Sequence, residues 1–209
     1  MGNVDIGKAF GEGWNMFKEN MGVCILSVLV AGIVSGVTFG ICAGPLTCGV
    51  YMILRRLAKK SEPKPTVGDV FKGFDLFLQA FLLLFICGIV YCVAQVVLML
   101  IPVVGWLVLM LLCFVYGPVI TWSLMLVANR GMKWNEAVGL VLKSTFGGKF
   151  TMPIVLGIVA GFVGGLGVIL CGIGLIFTLP FSLCVYAAAY EQVFGDESAA
   201  APVEAEVVS

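Results

Sequence analysis

The sequence contains no histidine, and only 11% of its 209 residues are charged. Without an imidazole there is no Ser-His-Asp or Cys-His nucleophile, no histidine metal site and no histidine pH switch. The eight cysteines include no CxxC pair, so neither a metal site nor a cofactor is expected. Soluble domains are about 25% charged and about 45–50% apolar, whereas this chain is 61% hydrophobic with a mean hydropathy of +1.11. A water-soluble fold is therefore not expected. Twelve Lys and Arg balance twelve Asp and Glu, but Asp196, Glu197, Glu204 and Glu206 all follow Gly195. The chain before them carries twelve cations against eight acids. That excess suits the anionic lipids of a membrane surface; no basic cluster is large enough to track nucleic acid, and no nucleic-acid partner is expected.

Where charge is absent, apolar residues run on without interruption. Residues 21–54, 76–129 and 150–190 hold no charged side chain, and all 24 charges lie between or outside these stretches. A membrane helix needs about 20 apolar residues, so each stretch fits two helices and a short turn. The expected fold is all-α and polytopic: six transmembrane helices arranged as three hairpins, with turns near 42–44, 101–105 and 171–174. The first stretch falls short of two full spans, leaving either a second helix extended by snorkelling Arg55 and Arg56 or a shallow re-entrant hairpin. Arg55, Arg56, Lys59, Lys60, Lys64 and Lys72 fill one connection, and Arg130, Lys133, Lys143 and Lys149 fill the next. The positive-inside rule places both connections and both termini in the cytoplasm. The charged first 20 residues do not read as a cleavable signal.

Each hairpin follows a short amphipathic segment, beginning near Asp5, Asp69 and Glu136. Similar spacing implies internal repeats over about 4–60, 66–131 and 134–195, within one membrane domain of residues 1–195. Residues 196–209, acidic and without aromatics, read as a disordered tail. Phe10, Trp14, Phe17 and Met21 share one helical face; Thr66 and Asp69 match a capping box; Asn135 is placed to cap the third segment. These segments are expected to lie at the interface, with Trp14 and Trp134 at headgroup depth, or else to be the cytoplasmic ends of longer tilted helices.

Pro45, Pro118 and Pro180 recur about 10 to 12 residues before Arg55, Arg130 and Glu191 in the second helix of each hairpin. Inside a helix such a proline frees a carbonyl, here that of Ile41, Phe114 or Ile176, to bind a cation or substrate. The simpler reading is a packing kink re-satisfied by Thr47, Thr121, Thr178 or Ser182. Gly32, Gly36 and Gly40, and again Gly157, Gly161 and Gly165, form GxxxGxxxG, a pattern for close helix packing. Cys42 and Cys171 fall at outer turns, where a disulfide is an option. Gln95 is the polar residue most suggestive of a site within the spans. Glu191, at the end of the sixth helix, calls for an arginine partner: Arg55, Arg56 or Arg130.

The segments EGWNMFKENMGVCI, GPLTCGVYMILRRLAKK with PTVGDVFKGF, and LPFSLCVYAAAYEQVFG resemble a set of uncharacterised bacterial multi-pass membrane proteins, including the membrane domain fused to some glycerophosphodiester phosphodiesterases. The resemblance implies a bacterial inner-membrane protein and supplies no catalytic residue. These residues contain no phosphodiesterase domain, so that activity is not carried over. Asp69, Asp75, Glu136 and Glu191 have no nucleophile or metal motif beside them, so catalysis is not expected. The expectation is a non-enzymatic membrane protein that organises lipids or partner proteins through its basic face. The alternative is a small transporter or channel for a neutral or lipidic solute.

Overall fold

The computed structural model describes residues 5–101, 103–146 and 173–194. Among them every regular element is helical: α1 (Ile6–Glu19), α2 (Met21–Val37), α3 (Ala43–Ala58), a 3-10 helix (Val67–Leu76), α4 (Phe77–Met99), α5 (Val104–Arg130), α6 (Trp134–Phe146) and α7 (Ile173–Phe194). The third hairpin's first helix, with Gly157, Gly161 and Gly165, the turn at Cys171 and the acidic tail lie outside the described residues.

Local chemistry sets the element ends. Asp5 caps α1, its Oδ1 accepting the Lys8 N–H at 3.0 Å. Asn20 ends α1 by donating its side-chain Nδ2 to the Met16 carbonyl at 3.1 Å, and the chain bends by 90° into α2. Thr66 and Asp69 form the expected capping box, with the Asp69 carboxylate accepting the Thr66 N–H at 2.8 Å. Gly131, at φ 61°, closes α5 in the left-handed conformation that glycine adopts without a Cβ penalty.

Two helical stretches, Val67–Met99 and Val104–Arg130, are long and apolar enough to cross a membrane, and a third is added if the bent pair Ile6–Glu19 and Met21–Val37 is one broken span. The described residues thus support two or three candidate spans. Within hairpin one, the 17 residues of α2 and 16 of α3 span only about 25 Å each at ~1.5 Å per residue, less than a hydrocarbon core of about 30 Å.

The helices α3, α5 and α7 touch one another at the centre, and all run toward the same charged end. Against them, α1 lies on α7, the 3-10 helix on α3, and α6 on α5. The buried core follows this arrangement. Its largest part is Leu46 to Leu57 of α3, the second half of α5 from Pro118 to Ala128, and Cys184 to Tyr190 of α7. At the opposite end large apolar side chains stand exposed, among them Val37, Phe39, Leu100, Val103 and Trp106. Exposure of this kind belongs in lipid rather than water.

Several expectations change. The second amphipathic segment is not a separate interfacial helix, because the 3-10 turn runs straight into α4 as one 33-residue stretch. The first is separate, but its aromatic stripe is not given over to the interface. Phe10, Trp14 and Phe17 surround Phe181 of α7 with ring centroids at 5.3, 5.5 and 6.0 Å, leaving Trp14 half exposed. The third begins at Trp134, so Asn135 sits within the helix rather than capping it. Gln79 of α4 serves the end instead, its Oε1 accepting the Trp134 N–H at 3.1 Å. Losing a helix-start acceptor costs about 0.5–2 kcal/mol. Gln79→Ala should therefore lower thermal stability in detergent by that amount, with Gln79→Glu retaining most of it.

Pro45 does not break a helix. It occupies the first turn of α3, where a missing N–H has no intrahelical partner to lose, and Ile41 precedes the helix. Pro118 and Pro180 do lie inside α5 and α7. Thr47 and Ser182 bond the carbonyls of Ala43 and Leu179 at 2.6 and 2.8 Å, not those the prolines would free.

Among the described residues nothing lies within 4 Å of a Cβ on Gly32, Gly36 or Gly40, and the helix of Gly157, Gly161 and Gly165 expected beside them lies outside the described residues; Gly40 uses its positive φ of 82° in the turn after α2. Close approach occurs where the 3-10 helix crosses α3. A Cβ on Gly49 would overlap the Val70 carbonyl, and one on Gly73 would overlap the Pro45 carbonyl and lie 2.6 Å from the Gly49 nitrogen. In a 3-10 helix residues i and i+3 eclipse, so Val70 and Gly73 form the single ridge that meets α3. Gly13 makes a comparable contact on α7, with a Cβ 2.8 Å from the Val185 Cα.

Candidate functional site

The charged end of the central bundle gathers most of the polar chemistry. Arg55 leaves the last turn of α3 between α5 and α7. Its Nε donates to Glu191 Oε1 at 3.2 Å and its Nη1 to the Asn129 carbonyl of α5 at 3.0 Å. Lys59, one turn beyond Arg55 on the same face, places its Nζ 3.9 Å from Glu191 Oε2. The side chains of Arg55 and Glu191 are only 18% and 21% exposed, so solvent screens this pair incompletely.

Arg130 joins the end of α5 to that of α7. Its Nη2 donates to the Phe194 carbonyl at 2.9 Å while its guanidinium stands 5.5 Å from the Phe194 ring centroid. Both arginines thus deliver charge to carbonyls at a helix C-terminus, where the macrodipole is negative and intrahelical donors run out. Arg56, on the next face of α3, takes a different acid: its Nη1 is 3.6 Å from Asp69 Oδ2, and Lys72 Nζ is 2.7 Å from Asp69 Oδ1. Of the three candidates for Glu191, Arg55 is the one in contact.

The start of α1 joins the same face. The Asp5 N–H donates to Gln192 Oε1 at 2.9 Å, tying the start of α1 to the end of α7. The ion-pair roles of Lys59 and Asp69 were not anticipated. The four-residue step from Arg55 to Lys59 was a legible signal for the first; nothing local indicates that Asp69 meets Arg56 across 13 residues.

Gln95 stands apart from this face. It is half-buried in a groove of about 690 Å³ whose other lining residues, including Met99, Trp106 and Met110, are apolar. Cys24 and Cys184 approach with sulfurs 3.8 Å apart between α2 and α7, and Cys42 is a free thiol. No group of three or more cysteine or acidic side chains able to hold a metal occurs among the described residues. No protein-family model, curated protein or solved structure matches this chain.

Proposed function

We propose that this chain is a polytopic membrane protein of six transmembrane helices in three repeated hairpins, acting without catalysis to organise lipids or partner proteins at its charged face. The bacterial inner membrane, with both termini inside, is the setting that charge placement and resemblance favour. The observation that carries the reading is the joined set of helix ends, where Arg55, Arg130 and Glu191 of α3, α5 and α7 meet at one face. The contact pattern supports the repeat. Each amphipathic segment lies on the inner helix of the preceding hairpin, and α1 lies on that of the last, as three copies around one axis require. Membrane burial is favoured by the exposed apolar end opposite the charges, which water would not tolerate at this extent.

Cysteine-accessibility labelling on a cysteine-free background tests the topology. Probes at Lys64 and Lys143 should react only after the membrane is opened, and labelling of either in intact cells rejects the arrangement. A second reading, passage of a lipidic solute, is favoured by the groove at Gln95. It requires flux in proteoliposomes that falls in Gln95→Leu. The apolar lining of that groove supplies no polar path for a hydrophilic solute.

A further inference from the structure

Four charges at the corner between α1 and α2 are unused by the networks above. Glu19 and Asn20 form one wall of a cleft of about 420 Å³, and Lys60, Glu62 and Lys64 form the other, with Arg56 behind them. Among the described residues, Glu19, Lys60, Glu62 and Lys64 make no ion pair. Arg56 is already committed to Asp69 and donates from Nη2 to the Pro63 carbonyl at 3.0 Å, which pins the loop beside the cleft. The Ser61 N–H, bonded to the Arg56 carbonyl at 2.9 Å, holds the loop's start against the end of α3. Two cations and two carboxylates therefore line one opening without an ion pair among the described residues.

The location narrows the ligand. The cleft sits where polar α1 turns by 90° into apolar α2, whose first residue, Met21, is exposed. In a membrane this is the level of lipid headgroups. A purely anionic headgroup would meet Lys60 and Lys64 but also the repulsion of Glu19 and Glu62. One carrying both a phosphate and an ammonium satisfies both signs. Quaternary ammonium groups are held by aromatic cages, and no aromatic among the described residues lines this cleft; a primary ammonium, with N–H donors, suits two carboxylates.

We propose that the cleft binds the zwitterionic aminoethyl-phosphate headgroup of a phospholipid, with Lys60 and Lys64 on the phosphate and Glu19 and Glu62 on the ammonium. The proposal rests on the membrane reading and names a lipid class for its charged face.

Native mass spectrometry of the full chain in mild detergent tests it, using phosphatidylethanolamine, phosphatidylcholine and phosphatidylglycerol with identical acyl chains. Phosphatidylethanolamine adducts should form at several-fold lower lipid concentration than the other two. Glu19→Gln with Glu62→Gln should remove that preference and raise phosphatidylglycerol binding, whereas Lys60→Gln with Lys64→Gln should weaken all phospholipid adducts. All four positions are exposed, and thermal unfolding checks that the variants stay folded. Equal binding of the three lipids, a preference for phosphatidylglycerol, or a preference that survives both double variants overturns the proposal. Saturation by soluble glycerophosphoethanolamine at the same concentration as the lipid overturns the membrane source. Carbonate extraction separates the two readings. Protein retained in the membrane without a lipid preference fails the cleft alone, and protein released by carbonate fails the membrane reading as well.

Discussion

Replacing Gly49 by alanine is expected to be among the most destabilising single-methyl changes in the protein. Its Cβ would occupy the position of the Val70 carbonyl, with the Val70 carbonyl carbon only 2.6 Å away. A flexible side chain could rotate aside, but here the obstructing atoms are backbone. Gly73 faces Pro45 and Gly49 across the same crossing, so the two elements cannot slide apart locally. Overpacking a well-filled contact costs about 1–3 kcal/mol, and displacement of a backbone segment places Gly49→Ala at or above the top of that range. Gly73→Ala should behave alike. Thermal unfolding in detergent measures both, with Gly32→Ala and Gly36→Ala as controls. Among the described residues nothing lies within 4 Å of a Cβ at those sites, and alanine favours a helix over glycine by roughly 0.5–1 kcal/mol. Gly49→Ala and Gly73→Ala as well tolerated as changes at open surface positions would show that α3 and the 3-10 helix do not cross as described.

Breaking the Arg55–Glu191 pair should have the second-largest effect. Glu191→Gln removes the charge that Arg55 Nε meets at 3.2 Å, and Arg55→Gln leaves Glu191 with Lys59 alone at 3.9 Å. Hydrogen bonds to charged groups contribute about 1.5–3 kcal/mol when partly shielded from water. A double-mutant cycle on unfolding should return a coupling of about 0.5–3 kcal/mol. The Lys8–Glu12 pair, at 3.9 Å with side chains 64% and 50% exposed, is the comparison; its coupling should be near zero because water and salt screen it. Additive effects for Arg55 and Glu191 would remove this join between the inner helices and the strongest support for a converging bundle. Arg130→Gln tests the neighbouring join, where Arg130 meets the Phe194 carbonyl and ring.

Much of the architecture was legible because it depends on short-range pattern. Long charge-free runs make helices in an apolar medium obligatory, since the backbone there can satisfy its hydrogen bonds only internally. The capping box of Thr66 and Asp69 is a short local pattern, and the turn between α4 and α5 follows from a charge-free run at 76–129 that is too long for one span. The position of Glu191 suggested an arginine partner because a carboxylate near an apolar bundle needs one. It did not say which of three arginines would reach it, as Arg55 and Glu191 are 136 residues apart.

The glycines show where pattern stops. GxxxG spacing identifies a smooth stripe on one helix but not whether another backbone lies against it. No described residue lies against the stripe of Gly32 and Gly36, while Gly49 and Gly73, in no such motif, carry a crossing where a Cβ would overlap backbone. Pro45 makes the same point: equal distance from the charged end suggested three equivalent kinks, yet α3 starts only two residues before it. Sequence by itself determined the all-helical class, the presence of helices long and apolar enough to cross a membrane, and the segregation of charge, because each follows from side-chain composition averaged over a helix length. Only the tertiary structure decided that α3, α5 and α7 form the centre, that α1 lies on α7, and which glycines and arginines join them. Those contacts depend on the angle and depth at which distant helices cross, and no local periodicity encodes that geometry.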